Sequence, residues 1–293
     1  MRIEKKGFGL LLALFFFLGV LCYGKYLGTG GFTTEKIHSH SFSSISFDFS
    51  APEYRENMLD QPFYYLSKGR QAYVFGSQDG RYVIKFLRDQ KYRPSLWVRA
   101  SLFFHLLTQG QKRACAEQKE RYARAVASYQ IACQRLSEET QLIRVHLGSM
   151  HPPKKLFVLD RFSRRMSIDL GKTSYLLQRR GESLASFLLS VYRNHEEEVL
   201  KWAVRSFFKT VAARLEKKIL VRDAHCTLQN MAVCEEGIIE IDVGSFYFDP
   251  DCNFKQEMNR SADPLREFVQ KEMPEFFFFF EEESRRVRSG CDG

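Results

Sequence analysis

The chain has no C-x-x-C pair. Its seven cysteines (Cys22, Cys115, Cys133, Cys226, Cys234, Cys252 and Cys291) are odd in number and widely spaced. That pattern argues against a zinc knuckle, and the density is too low for a disulfide scaffold. Most are expected to be reduced, half-buried thiols, as suits a cytosolic setting. No internal repeat is visible. Disorder is excluded as well, because 44% of residues are hydrophobic and 27% charged. The 293 residues suffice for one large domain or for two lobes around a cleft.

Acidic residues are scarce in one place. Thirteen Lys/Arg but only four Asp/Glu lie between Lys68 and Arg124, which accounts for the whole net charge of +9. A basic segment can hold phosphates, nucleic acid or anionic lipid heads. The alternative is the solvated basic face of a long helix. Anionic lipid is kept as a partner for 68–124, and no nucleic acid is expected.

The N-terminal "MRIEKK" is followed by "GFGLLLALFFFLGVLCYG", residues 7–24, without a charge. The run is close to the roughly 18–20 residues that cross a bilayer as a helix. No small-x-small cleavage site follows it, and "LGVLC" is a poor lipobox. The expectation is an uncleaved single-pass anchor, a membrane localisation with the N-terminus in the cytoplasm by the positive-inside rule.

Residues 25–61 read as a linker rich in Gly, Ser and Thr, and nothing nearby completes a metal site around His38 and His40. From Phe63, "FYYLSKGRQAYVFGSQDGRYVIKFL" alternates apolar and polar residues around "SQDG", a hairpin signal. A long helix is expected over 96–137 with a break at Gly110. "QLIRVHL" and "KLFVLDRF" read as strands, and "TSYLLQRRGESLASFLLSVY" as strand, connector and helix. Residues 196–217 form an amphipathic helix with Trp202, Val204, Phe207 and Val211 as its core face. Then "ILVRDAHCTLQNMAVCEEGIIEIDVGSF" places Asp223, Asn230 and Asp242 at the ends of otherwise apolar segments around the turn "CEEG".

The order of these patterns over residues 62–246 resembles the protein-kinase-like fold, as a divergent or atypical kinase or a pseudokinase. "LSKGRQAYVF" is similar to the loop G-x-G-x-x-G-x-V, with Ser67, Gly69 and Ala72 at the glycine positions and Val74 at the apolar position over the adenine. "YVIKF" resembles V-A-I-K and puts Lys85 on the lysine. Its own chemistry agrees, since a lysine among strand apolars wants an anionic partner such as phosphate. No single helix glutamate is assigned to Lys85; Glu117, Glu120 and Gln130 remain open. "YLLQRRGESLASFL" is similar to the lobe connector, whose backbone near Gln178 and Arg179 would bond the adenine edge. Gly181 would give flexibility there, and Ser183 would cap the next helix. "LVRDAHCTLQN" resembles H-R-D-x-x-x-x-N, with Val221 for the histidine and two extra residues before Asn230. His225 reads as a structural residue of this loop. "GIIEIDVGSF" resembles the strand ending in D-F-G.

The resemblance implies an α+β, two-lobed fold: a strand-rich small lobe with the long helix (62–180) and a shortened helical second lobe (181–293); the uncharged run 7–24 adds one transmembrane helix before it (1–24). It implies a phosphotransferase using ATP and Mg²⁺. Lys85 would orient phosphates, Asp223 would position the acceptor hydroxyl, and Asn230 and Asp242 would hold the metal. Gly69, Ala72, Val74, Lys85, Gln178 and Arg179 would contact the nucleotide. No A-P-E segment follows Gly244, and the 49 residues after it leave no room for a peptide-binding subdomain. A small molecule, sugar or lipid acceptor is therefore favoured over protein. The alternative is a membrane-anchored pseudokinase or interaction scaffold without catalysis. The tail "MPEFFFFFEEESRR" is too short to span a bilayer and is expected to pack on the second lobe or a partner.

Overall fold

The computed structural model describes residues 15–20, 24, 30–37, 46–88, 92, 98, 108–148 and 154–289. In chain order the strands are β1 (Phe47–Ser50), β2 (Phe63–Lys68), β3 (Ala72–Ser77), β4 (Tyr82–Leu87), β5 (Leu142–Leu147), β6 (Lys155–Leu159) and β7 (Arg165–Asp169). They continue with β8 (Tyr175–Arg179), β9 (Glu182–Ser183), β10 (Ile219–Val221), β11 (Met231–Cys234), β12 (Gly237–Glu240) and β13 (Phe246–Phe248). The helices are α1 (Gln109–Arg135), the single turn α2 (Ser137–Thr140), α3 (Leu184–Arg193), α4 (Glu197–Glu216), α5 (Phe254–Glu272) and α6 (Phe277–Ser289). The fold is mixed α+β. It divides into two compact units: residues 1–46, 54–91 and 146–176, and residues 47–53, 92–145 and 177–293. The long helix α1 groups with the second unit.

In the first unit the strands run in the order β4-β3-β2-β6-β7. Gly80, at φ 75°, lets the chain reverse between β3 and β4. Strand alternation then sorts the side chains. Tyr73, Phe75, Ile84 and Phe86 are fully buried on one face. There Phe75 meets Phe86, Tyr65 and Phe32 edge to face, at centroid distances of 5.5, 5.5 and 5.0 Å. Phe32 lies in the stretch read as linker, as does Gly31, whose carbonyl accepts the Tyr73 hydroxyl at 2.7 Å. In the second unit β1 is also within that stretch: Ala51 N–H donates to Ile143 O at 2.8 Å, and Arg144 pairs with Asp48 at 3.1 Å. The linker reading is therefore corrected for residues 30–37 and 46–61. Isolated aromatics in a polar background carry too little periodicity to mark a strand or a core plug. His38 and His40 lie outside the described residues.

The second unit packs α3, α4, α5 and α6 around one apolar core. Helix α4 buries Leu200, Val204, Phe207, Phe208, Val211 and Leu215. Trp202, expected on that face, is 41% exposed and meets Phe187 edge to face. Two residues of helix rotate a side chain by about 200°, so Trp202 and Val204 cannot share a face. The phenylalanine run packs on this core. Phe276 and Phe280 are buried, Phe277 and Phe279 lean on it, and Phe278 faces out. Helix α1 starts at a capping box, with Thr108 Oγ1 accepting from Gln111 N–H and the Gln111 side chain accepting from Thr108 N–H. Arg113, Arg121 and Arg124 pair with Glu117 and Glu120 along its exposed face, as in the solvated-face alternative.

The single-pass membrane assignment is corrected. Among the described residues no helix is long and apolar enough to cross a membrane. Of the run 7–24, the described helical residues are Phe15–Val20 and Gly24; the remainder lies outside the described residues.

Candidate functional site

Two antiparallel ladders of the second unit build the site. Strand β10 pairs with β13, Val221 opposite Phe246, and Arg222 N–H donates to Ser245 O at 3.1 Å. That bond extends the ladder up to Asp223. Strands β11 and β12 form the other hairpin, with Met231 opposite Glu240. Beyond that pair, Ile241 N–H donates to Asn230 O at 2.7 Å. Asn230 and Asp242 thus stand together at the open end of the hairpin, because register fixes which residues are opposite. The seven residues Ala224–Asn230 form a 3₁₀ turn that takes up the long spacing between Asp223 and Asn230. Asp223, Thr227, Asn230 and Asp242 line one small pocket with Arg214 and Glu240, whose free space is only about 10 Å³. Asp242 Oδ1 accepts the Gly244 N–H at 3.2 Å, a local turn that holds its carboxylate.

Buried polar groups support this open end. Arg214, 1% exposed, donates through Nε to Glu240 Oε1 at 2.6 Å and through its other nitrogens to Ile219 O at 2.9 Å and Ser261 Oγ at 3.3 Å. Burial raises the Glu240 carboxyl above its ordinary value. Arg214 pulls the other way, and the nearby Glu139 and Asp242 carboxylates push it up further. Gln178 is fully buried, and its side chain donates to Thr140 O and Glu240 O at 2.5 and 3.0 Å. The Arg179 N–H donates to Gln141 O at 3.1 Å, and its guanidinium pairs with Glu236 at 3.5 Å. The Arg179 amide expected at an adenine edge is thus committed within the unit. At Gly181 a Cβ would come within 2.8 Å of both Val233 O and the Ala232 side chain. Glycine is there for close approach rather than for flexibility. Ser183 pairs with Ala232 in β9 and makes no side-chain cap for α3, which corrects the capping expectation. His225 is exposed.

The remaining site residues belong to the first unit. Gly69 N–H donates to Ala72 O at 2.9 Å and closes the turn between β2 and β3. Val74 and Lys85 are direct cross-strand partners. With Ala72, both stand on the face opposite the aromatic core, and both are half-buried. The two glutamates weighed as partners for Lys85, Glu117 and Glu120, are engaged with arginines on α1.

Among the described residues no group of three or more His, Cys, Asp or Glu side chains could hold an ion by itself. Mg²⁺ characteristically uses one or two carboxylates together with phosphate oxygens and waters, and Asp242 with the Asn230 amide offers that. Of the cysteines, Cys22 and Cys291 lie outside the described residues. Burial pushes Cys133 up to about 12 and Cys234 to about 11, so neither is a nucleophile at neutral pH. The sequence reading missed Arg214, Glu240 and Thr227. The signal for Glu240 was a lone acid inside the apolar run "GIIEI".

No protein-family model matches the chain, and no curated protein matches it. Among solved structures it is similar to the bifunctional kinase-methyltransferase WbdD, at 15% identity and a TM-score of 0.34, over 74% of this chain and 43% of that one. It is also similar to a Stt7 homolog from Micromonas algae soaked with ATP, at 10% identity and a TM-score of 0.39, over 86% of this chain and 75% of that one. The chain thus spans less than half the length of the first of these.

Proposed function

We propose that the chain is a kinase-like phosphotransferase that uses ATP with Mg²⁺ on a small-molecule, sugar or lipid hydroxyl. One observation carries this reading: Asp223, Asn230 and Asp242, all within one stretch of 20 residues, line one small pocket at the ends of two ladders. Bound Mg²⁺ would neutralise charge on the phosphates. Asp242 and the Asn230 carbonyl oxygen would hold it, and the Lys85 amine would pair with phosphate oxygens. Asp223 would accept the proton of the acceptor hydroxyl as its oxygen bonds to the γ-phosphorus and the bond to the β–γ bridging oxygen breaks, leaving ADP. Gly69, Ala72 and Val74 would cover the nucleotide, and backbone near Gln178 would meet the adenine.

A scaffold without catalysis is the second reading. The observation favouring it is the 3₁₀ turn of seven residues after Asp223, which resets the Asp–Asn spacing of the catalytic loop it resembles. Thermal unfolding with and without ATP and Mg²⁺ tests nucleotide binding. At an ATP excess of about 100 times Kd the protein should gain about 2.7 kcal/mol. No gain at millimolar ATP would exclude the phosphotransferase.

A further inference from the structure

Helix α1 is hydrogen-bonded to the segment after Asp242 through the Ser128 side chain. Ser128 is fully buried. Its Oγ donates to Val243 O and accepts from Phe246 N–H, both at 2.7 Å. Those two backbone groups bracket Gly244 and Ser245. A single hydroxyl therefore closes the bend that begins at the residue after Asp242. The same bend carries Ser245 O, which accepts from Arg222 N–H beside Asp223. One turn pair further along α1, the Arg135 guanidinium lies 5.0 Å from the Phe248 ring centre. The helix thus grips the chain from Val243 to Phe248, and the Val243 side chain is itself buried.

We propose that Ser128 is a positioning residue: it fixes the bend that presents Asp242 to the metal and, through Ser245, the backbone next to Asp223. This rests on the phosphotransferase reading. A buried serine that merely filled space would satisfy one partner or bond back to its own helix. Ser128 instead saturates a donor and an acceptor on another segment, and a bend with two unmatched buried backbone groups is costly to hold.

A control exists in the same unit. Thr210 on α4, half-buried, reaches from a helix to the β11–β12 hairpin away from its open end, its Oγ1 donating to Ile238 O at 2.9 Å and to Ser206 O of its own helix at 3.0 Å. The experiment titrates Mg²⁺ against ATP-induced thermal stabilisation of the full chain in wild type, Ser128→Ala, Ser128→Thr and Thr210→Val. Ser128→Ala, which removes both hydrogen bonds, should raise the Mg²⁺ midpoint about 10-fold. Stabilisation by ATP in EDTA should be unchanged, and Ser128→Thr, which keeps the hydroxyl, should stay near wild type. Equal midpoints in Ser128→Ala and Thr210→Val would overturn the proposal. Amide exchange needs no nucleotide and covers the other cases. The Phe246 N–H should exchange about 10-fold or more faster in Ser128→Ala than in Thr210→Val, and equal rates would overturn the clamp. Should Ser128→Ala not fold, Ser128→Cys replaces it in both measurements. A wild type blind to ATP would end the phosphotransferase reading and the metal role with it, while the exchange rates would still decide the clamp.

Discussion

Two hairpins, one in each unit, carry residues of the proposed function, and they are held by different means. The β3–β4 hairpin, with Val74 and Lys85, rests on aromatic rings: Phe75, Phe86 and Tyr73 are fully buried beneath it. The β11–β12 hairpin, with Asn230 and Asp242 beyond its open end, buries Met231, Ala232, Ile238 and Ile239 as well, but is also tied by polar groups, namely Arg214, Glu240 and the Gln178 amide. The first depends on shape and apolar area, which are insensitive to pH. The second depends also on a buried ion pair, whose strength follows protonation. A rigid polar frame beside a cleft suits a site that must hold a charged ligand.

Removing the Asp223 carboxylate, just past β10 and lining the same pocket as Asn230 and Asp242, tests the site's chemistry and should have the largest effect. Asp223→Asn should lower phosphoryl transfer by about 10²–10⁴ while leaving nucleotide-induced stabilisation intact. Turnover and binding are measured on the same preparations. Equal turnover by the two proteins would remove Asp223 from the mechanism.

Two core substitutions sharpen the contrast. Phe75→Ala in the first hairpin should cost about 3–5 kcal/mol, with little dependence on pH. Arg214→Met in the second should cost about 3–5 kcal/mol at pH 7, because it strands the Glu240 carboxylate. Burial already raises Glu240 above 4.5, and loss of Arg214 raises it further. A raised folded-state value favours the protonated, folded form. That stabilisation is complete below the unfolded value near 4.5 and is lost as pH rises through the folded value. Denaturation at pH 7 and pH 5 should therefore show a smaller Arg214→Met penalty at pH 5. Parallel pH profiles for the two variants would break the comparison.

Gly181→Ala should cost about 1–3 kcal/mol, since the new Cβ would press on the Val233 backbone and part β9 from β11. A stable Gly181→Ala protein would show that this contact relaxes. The smallest effect is expected at Thr108→Ala, about 1 kcal/mol for the lost capping box of α1, measured by thermal unfolding.

Both hairpins were legible in the sequence, for physical reasons. Alternation about "SQDG" and "CEEG" sets strands and register, so Val74 and Lys85 are forced onto one face and Asp242 to a strand end. What holds the second hairpin was not legible. Arg214 and Ser128 are polar residues of amphipathic helices, and only the tertiary packing shows that they turn inward. Trp202 failed through helical phase, and β1 through its polar surroundings. The apolar run 7–24 looked long enough for a bilayer, yet among the described residues no helix has that length and character.

The most direct test compares wild type with Asp242→Asn in an isothermal titration of ATP at fixed Mg²⁺ and in EDTA. Wild type should bind ATP more tightly with Mg²⁺. In Asp242→Asn that increment should largely vanish while binding in EDTA persists, because one anionic ligand to a hard cation is gone. The same Mg²⁺ increment in both proteins, or no ATP binding by wild type, would contradict a Mg–ATP site at the open end of the β11–β12 hairpin.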